Sequence, residues 1–367
     1  MRQKGELRHM SETNENRLPS TMKAAVLQRP LELTIEERPV PTPAPDEVLV
    51  KVMAVGICGS DVHYYEHGKI GPYVVRKPLI LGHECAGVVA ATGKRATRYK
   101  TGDRVAIEPG VVCGRCEVCK SGRYNLCPDV QFLATPPVDG AFAQYISIRE
   151  DFLFPIPDAL SFEEASMNEP LSVGIHACRR ARLQPGATVA ILGMGPVGLL
   201  AVAAVRAFGA ETVIVGDLEP IRLEAAVRMG ATHAINVREE DAAAAVRRLT
   251  GGRGADVAFE TAGSSKALQA ALASVKRGGR LVVVGLPPQD DVPLNVPFIA
   301  DNEVDISGVF RYANTYKQGI RILSSGMADF GSLVTDRYPL ERAAEAMERA
   351  RTNKSGSLKV MVYPNGL

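Results

Sequence analysis

Residues 187–192 form an apolar run broken only by Thr188, followed without a gap by Gly193-Met-Gly195-Pro196-Val197-Gly198. This junction restricts the fold more than any other feature of the chain. A lone G-x-G-x-x-G is weak, because glycine turns are common. Here a strand precedes it, and helix-forming residues 196–208 follow, ended by Gly209. In that setting each glycine has a task. Gly193 permits the tight turn, Gly195 lets backbone approach a pyrophosphate, and Gly198 allows close helix–strand packing. Pro196 and Val197 open a helix whose first amides and positive dipole face the phosphates. The rhythm then repeats, with strands expected at 212–215, 256–260, 280–285 and 304–309 and helices at 221–229 and 266–276. Continuous apolar strands alternating with helices imply a parallel sheet covered on both faces.

Asp217 ends the second strand, 19 residues after Gly198. A carboxylate there accepts hydrogen bonds from the adenosine ribose and repels a 2′-phosphate, which favours NAD over NADP. The alternative for Asp217 is a turn or N-cap residue. Arg222, on the next helix, complicates the preference unless it lies on an exposed helix face.

The 367 residues are enough for about two domains at roughly 150 residues each. With 43 Lys+Arg against 41 Asp+Glu, the balance argues against a nucleic-acid or polybasic membrane surface. No apolar run approaches the roughly 20 residues of a membrane helix. Residues 1–21 are polar, without an apolar signal core, and read as a disordered tail. Residues 22–157 carry short strands (23–27, 47–55, 87–91, 104–107, 143–148) punctuated by Gly and Pro. Ser161-Phe-Glu-Glu164 has capping-box spacing and opens a helix. After residue 310, a helix and a final strand at 358–362 fall outside the alternation and are expected to return to the first domain. The division is therefore a tail (1–21), a first domain (22–171), a nucleotide domain (172–310) and a C-terminal return (311–367).

Cys113-x2-Cys116-x2-Cys119-x7-Cys127 offers four thiolates close enough in sequence to close a tetrahedron around zinc. Four protein ligands leave no open position, so such a site is structural. Two disulfides or an iron–sulfur cluster are the alternatives; an intracellular setting disfavours the first, and nothing else calls for the second. Cys85 and Cys178 read as small buried hydrophobes, and His67, His176 and His233 receive no chemistry.

Three further pieces lie outside the nucleotide domain: Gly56-Ile-Cys58-Gly-Ser60-Asp-Val-His63, Gly82-His83-Glu84 and Asn168-Glu169-Pro170. Singly, each is weak. Together they provide thiolate, imidazole and carboxylate, a mixed set suited to zinc with a fourth position for water or substrate.

With these pieces, from Met22 to Tyr363, the chain resembles the zinc-containing medium-chain alcohol dehydrogenases. GHE followed by Gly87 and Gly93 resembles their zinc signature. The stretches GICGSDVHYYEHGKIGPY, RVAIEPG, GRYNLCP, FLATPPVDGAF, NEPLSVGIHACRR and GVFRYANTY resemble the sorbitol (L-iditol 2-) and xylitol dehydrogenase branch. The resemblance implies a GroES-like, mostly-β catalytic domain joined to a Rossmann coenzyme domain. It implies that Cys58, His83 and Glu84 ligate a catalytic zinc, with Glu169 binding a zinc water or exchanging onto the metal. Ordinary alcohol dehydrogenases place a third metal-binding cysteine at the Glu169 position; a carboxylate makes the site harder and more polar. The complete four-cysteine set is closer to bacterial, yeast and insect members than to animal ones.

The implied reaction is metal-assisted hydride transfer from C2 of a polyol to NAD, with the proton leaving through Ser60 and His63. Tyr64, Phe132, Thr135, Arg311 and Tyr312 would line the substrate pocket, with plain inter-domain packing the alternative for Phe132 and Tyr312 and an ion pair that for Arg311. The expected cofactors are NAD and two zinc ions, one catalytic and one structural. The expected partner is a small polyol or ketose, with no nucleic acid and no membrane, in a cytoplasmic homotetramer or homodimer. A butanediol or threonine dehydrogenase on this scaffold is the neighbouring reading. A non-catalytic nucleotide-binding redox sensor is the distant one, and it predicts a broken metal set.

Overall fold

The computed structural model describes residues 18–353 and 355–366. Most of the expected tail lies outside them, and the first strand, Thr21–Arg29, begins at the last residue assigned to it. The motif strand Thr188–Leu192 sits near the middle of a six-stranded parallel sheet. Across that sheet the strands run His233–Asn236, Thr212–Asp217, Thr188–Leu192, Ala255–Glu260, Val275–Val283 and Asp305–Gly308. Counted along the chain this is the order 3-2-1-4-5-6, a doubly wound sheet whose strand ends face a dinucleotide crevice. Ile191 lies level with Val215 on one side and Phe259 on the other, all fully buried. Side chains of this kind contribute roughly 1.5–3 kcal/mol each when removed from water.

The α/β alternation stands, with two differences of detail. His233–Asn236 was not expected as a strand: it is an edge strand in which Ile235 alone is buried, so it carries no apolar run. Val275–Val283 starts five residues earlier than residue 280 and takes in Val275 and Lys276, which were expected to end the helix 266–276; that helix is Ser265–Ser274. The register slip between Ala255 and Val257 lies in this stretch.

The other lobe is mostly β. Its seven-stranded sheet runs Leu153–Pro155, Arg104–Ile107, Glu84–Thr92, Glu47–Gly56, Lys359–Tyr363 and Val334–Pro339, with Tyr145–Arg149 also paired to Glu47–Gly56. The last strand of the chain is thus laid against an early one, with Met361 level with Gly56 and Val362 with Val55. A three-stranded sheet (Glu32–Pro39, Thr21–Arg29, Leu79–Ile80) closes the lobe.

Helix Asn168–Arg180 joins the lobes and runs unbroken through the expected boundary at 171/172. One core cluster spans both sides of it, from Ala54, Ala86 and Met361 to Val189 and Leu199. Gly174 sets the approach of this helix to helix Pro196–Ala207, because a Cβ there would lie 2.9 Å from the Ala201 Cα. Just before it, Ser161 caps helix Phe162–Ser166 with the expected reciprocal bonds to Glu164. Among the described residues no helix is long and apolar enough to cross a membrane.

Candidate active site

Cys58 is the N-cap of helix Gly59–His67, which ends at Gly68 with φ 68°, in the left-handed region. The cap is closed by Asp61, whose Oδ2 accepts from Cys58 N at 2.9 Å. The same carboxylate accepts from Gly82 N at 2.9 Å through Oδ1, and His83 Nδ1 lies 3.6 Å from that oxygen. Asp61 therefore ties the Cys58 turn to the His83 loop. It is fully buried. Burial alone would raise its pKa, but the His83 ring and the two amides hold it below the ordinary carboxylate value. His83 shows the converse: burial disfavours its charged form, yet Asp61 and Cys58 push it well above the usual range. A buried carboxylate at Nδ1 orients the ring and leaves Nε2 available as a ligand.

Glu84 follows at the start of strand Glu84–Thr92, level with Gly56. Ligand atoms of Cys58, His83 and Glu84 all lie within 4.8 Å of one another. Glu169 is outside that mutual distance; its Oε1 accepts from Tyr312 Oη at 2.7 Å. Burial, with Glu84 adding to it, lifts the Glu169 carboxyl to about 7 against the opposing pull of His83 and Tyr312.

The expected substrate residues gather beside this cluster. The Phe132 ring is 5.5 Å from the His83 ring and tilted against it, and the Arg311 guanidinium lies 3.9 Å over the Phe132 ring. Arg311 Nη1 is buried with no hydrogen-bond partner, and its backbone has φ 51°. Such strain in a non-glycine residue survives only where surrounding contacts impose it. Tyr64 is buried, which raises its pKa against the opposing influence of the Thr135 side chain. Ser60 is half-buried next to Cys58, and His63 is exposed on the same helix, its ring 5.9 Å from that of His67.

The four-cysteine lobe forms a second cluster. Sγ–Sγ separations are 3.5 Å for Cys113–Cys127, 3.9 Å for Cys116–Cys127 and 4.0 Å for Cys113–Cys119. A tetrahedron with Zn–S of about 2.3 Å has edges of about 3.8 Å. All seven cysteines are free, which removes the disulfide alternative. Amides of Arg115 and Cys116 pull the Cys113 thiol down to about 6. The donors and spacing fit a zinc ion. Between Cys119 and Cys127, Tyr124 donates to buried Glu108 at 2.7 Å and accepts from Asn314 N at 2.7 Å. That link, which sequence reasoning did not find, joins the lobe to the segment carrying Arg311 and Tyr312.

At the nucleotide motif, Gly193 has φ 106°, and a Cβ on it would sit 2.5 Å from Ala262 N. A Cβ on Gly198 would fall 1.9 Å from Gly193 O, whereas Gly195 faces open space, as a phosphate-facing position requires. Pro196 is the first residue of the helix and Val197 its second. Asp217 is both strand end and turn-former: Oδ2 accepts from Met194 N at 2.6 Å and Oδ1 from Glu219 N at 2.9 Å. Arg222 is not on an exposed face; it is half-buried and its Nε has no partner. Cys85 and Cys178 are buried, with thiol pKa values pushed up by desolvation, and belong to neither cluster.

A doubly wound sheet with this glycine turn, beside a mostly-β lobe bearing two metal-competent clusters, defines a class. Residues 44–158 match the alcohol dehydrogenase GroES-like domain and residues 196–325 the zinc-binding dehydrogenase family. The chain belongs to the zinc-binding alcohol dehydrogenases and is an oxidoreductase with a GroES-like and a Rossmann-type domain. It is 66% identical to the sorbitol dehydrogenase of Bacillus subtilis (strain 168), over 95% of this chain and 99% of the relative. An Escherichia coli oxidoreductase of unknown specificity superposes with TM-score 0.90 at 42% identity, over 94% of this chain and 99% of the other. The 2R,3R-butanediol dehydrogenase of Bacillus subtilis superposes with TM-score 0.85 at 32% identity, over 94% and 100%.

Proposed function

We propose that this chain oxidises a polyol such as sorbitol or xylitol at its C2 hydroxyl, transferring hydride to NAD and releasing a 2-ketose, NADH and a proton. The observation that carries this is the buried, unpartnered Arg311 Nη1 stacked on Phe132 beside the Cys58–His83–Glu84 cluster. An orphan buried donor is costly unless a ligand satisfies it, and a hydroxyl-rich substrate has acceptors to offer. Zinc, when held by Cys58, His83 and Glu84, supplies Lewis-acid polarisation of the reacting hydroxyl.

The remaining roles belong to side chains. Arg311 and Tyr64 bind substrate hydroxyls, Thr135 orients Tyr64, and Phe132 and Tyr312 exclude water. Glu169, buried with a pKa of about 7, holds or releases a proton near neutrality, and Ser60 passes the substrate proton to exposed His63 and solvent. Gly193, Gly195, Pro196, Val197 and Gly198 seat the pyrophosphate of NAD and Asp217 its ribose, with Arg222 beside them. Cys113, Cys116, Cys119 and Cys127 hold a second, structural zinc. The nucleotide domain is residues 172–310, inserted between 22–171 and 311–367. We take the enzyme to act in the cytoplasm as a homotetramer or homodimer.

The purified enzyme, offered NAD with sorbitol, xylitol, ribitol, galactitol, 2,3-butanediol or threonine, should generate NADH with one or more of the first four. Turnover of the last two alone would refute the polyol assignment in favour of a butanediol or threonine dehydrogenase. No turnover with any alcohol would favour a nucleotide-binding sensor.

A further inference from the structure

Lys359 opens the last strand of the chain, in which every residue is buried. It is 2% exposed and is the single lysine or arginine in the buried class among the described residues. Its Nζ donates to the carboxylate of Glu84, itself 1% exposed, and to the Ile57 carbonyl at 3.0 Å. Ile57 directly precedes Cys58, and its own N–H donates to Val360 O at 2.9 Å. The C-terminal strand thus grips the backbone just before one candidate ligand and the side chain of another.

Two further observations bear on why a lysine sits there. Asp61, Glu84 and Glu169 are buried acids clustered around Cys58 and His83, and a buried charge without a partner is strongly unfavourable. Gly56 leaves the space that the contact needs. A Cβ there would fall 2.4 Å from Glu84 Oε2, 2.5 Å from Lys359 Cε and 2.9 Å from Nζ, and these are its three nearest atoms.

We propose that Lys359 is a positioning residue for the metal centre, holding the Glu84 side chain in place as a ligand while pinning the Ile57–Cys58 backbone. It touches neither substrate nor cofactor and acts through Glu84 and Cys58. The inference rests on Cys58, His83 and Glu84 being a metal site, so the test separates the two claims. Zinc release to a chromophoric chelator is followed in intact enzyme, and the phase belonging to this cluster is identified as the one missing from Cys58→Ala. If wild-type enzyme has no such phase, the metal-site reading itself fails. If it does, Lys359→Met should speed that phase by roughly 10–100-fold, the usual effect of removing an outer partner of a ligand. Release from the four-cysteine cluster should stay unchanged, which a general loss of structure would not allow. An unaltered fast phase in folded Lys359→Met overturns the proposal. Should that variant not fold, Gly56→Ala decides, because its added methyl meets the Glu84–Lys359 contact first: faster release from this cluster alone supports the role, and wild-type release overturns it.

Discussion

Glu108 is 3% exposed and accepts from Tyr124 Oη. Burial pushes its carboxyl from 4.5 up to about 7, against the Tyr124 hydrogen bond and with Glu169 adding to the rise. The folded protein therefore keeps this proton to a higher pH than the unfolded chain does. Its contribution to stability is fully present below about pH 4.5, is lost as pH rises, and is gone above about pH 7. The displacement corresponds to about 3 kcal/mol at about 1.4 kcal/mol per pH unit. About 2 kcal/mol of that falls between pH 5.5 and 8, a window that avoids acid stripping of thiolate-bound zinc. Glu108→Gln keeps the shape and the acceptor for Tyr124 while removing the titration. Melting of zinc-loaded wild type and variant at both pH values, at one scan rate, should show the wild type losing roughly 2.5 °C relative to the variant on going to pH 8, at about 1.3 °C per kcal/mol for a chain of this length. Parallel pH dependence in the two proteins would refute the assignment of a buried, ionising Glu108. Tyr124 also takes the Asn314 amide, so the Michaelis constant for polyol should move with the same pH difference.

Cys116→Ala should lower zinc content from about two per chain to one and reduce thermal stability before activity; retention of both ions would contradict the tetrahedral reading. Cys58→Ala should lose the other zinc and all turnover while still binding NADH, followed by its fluorescence. Asp217→Ala removes the acceptor for Met194 N and Glu219 N and should raise the NADP-to-NAD ratio of kcat/KM at least about tenfold; unchanged selectivity would sink its ribose role. Gly198→Ala places a methyl 1.9 Å from Gly193 O and should weaken NAD binding with a cost of about 1–3 kcal/mol, measured by calorimetry.

What could be read in advance was what lies close together in the chain. The glycine turn with its flanking strand and helix, and the four cysteines, each lie within one short stretch of chain, so spacing alone carries their geometry. Asp61 was within reach by the same logic, since it stands three residues after Cys58 at capping-box distance. The edge strand His233–Asn236 was not, because one buried side chain gives no period. The contacts that bring distant segments to the two clusters are of another kind. Glu169 meets Tyr312 across 143 residues, Glu84 meets Lys359 across 275, and Tyr124 meets Asn314 across 190. Each is made by a residue beyond position 310, and the strand that carries Lys359 pairs with Glu47–Gly56. Helix and strand periods describe neighbours within one element, so they cannot express such a closure. A lone lysine in an otherwise apolar strand was the one local trace of it, because a buried cation requires an anion from somewhere else in the fold.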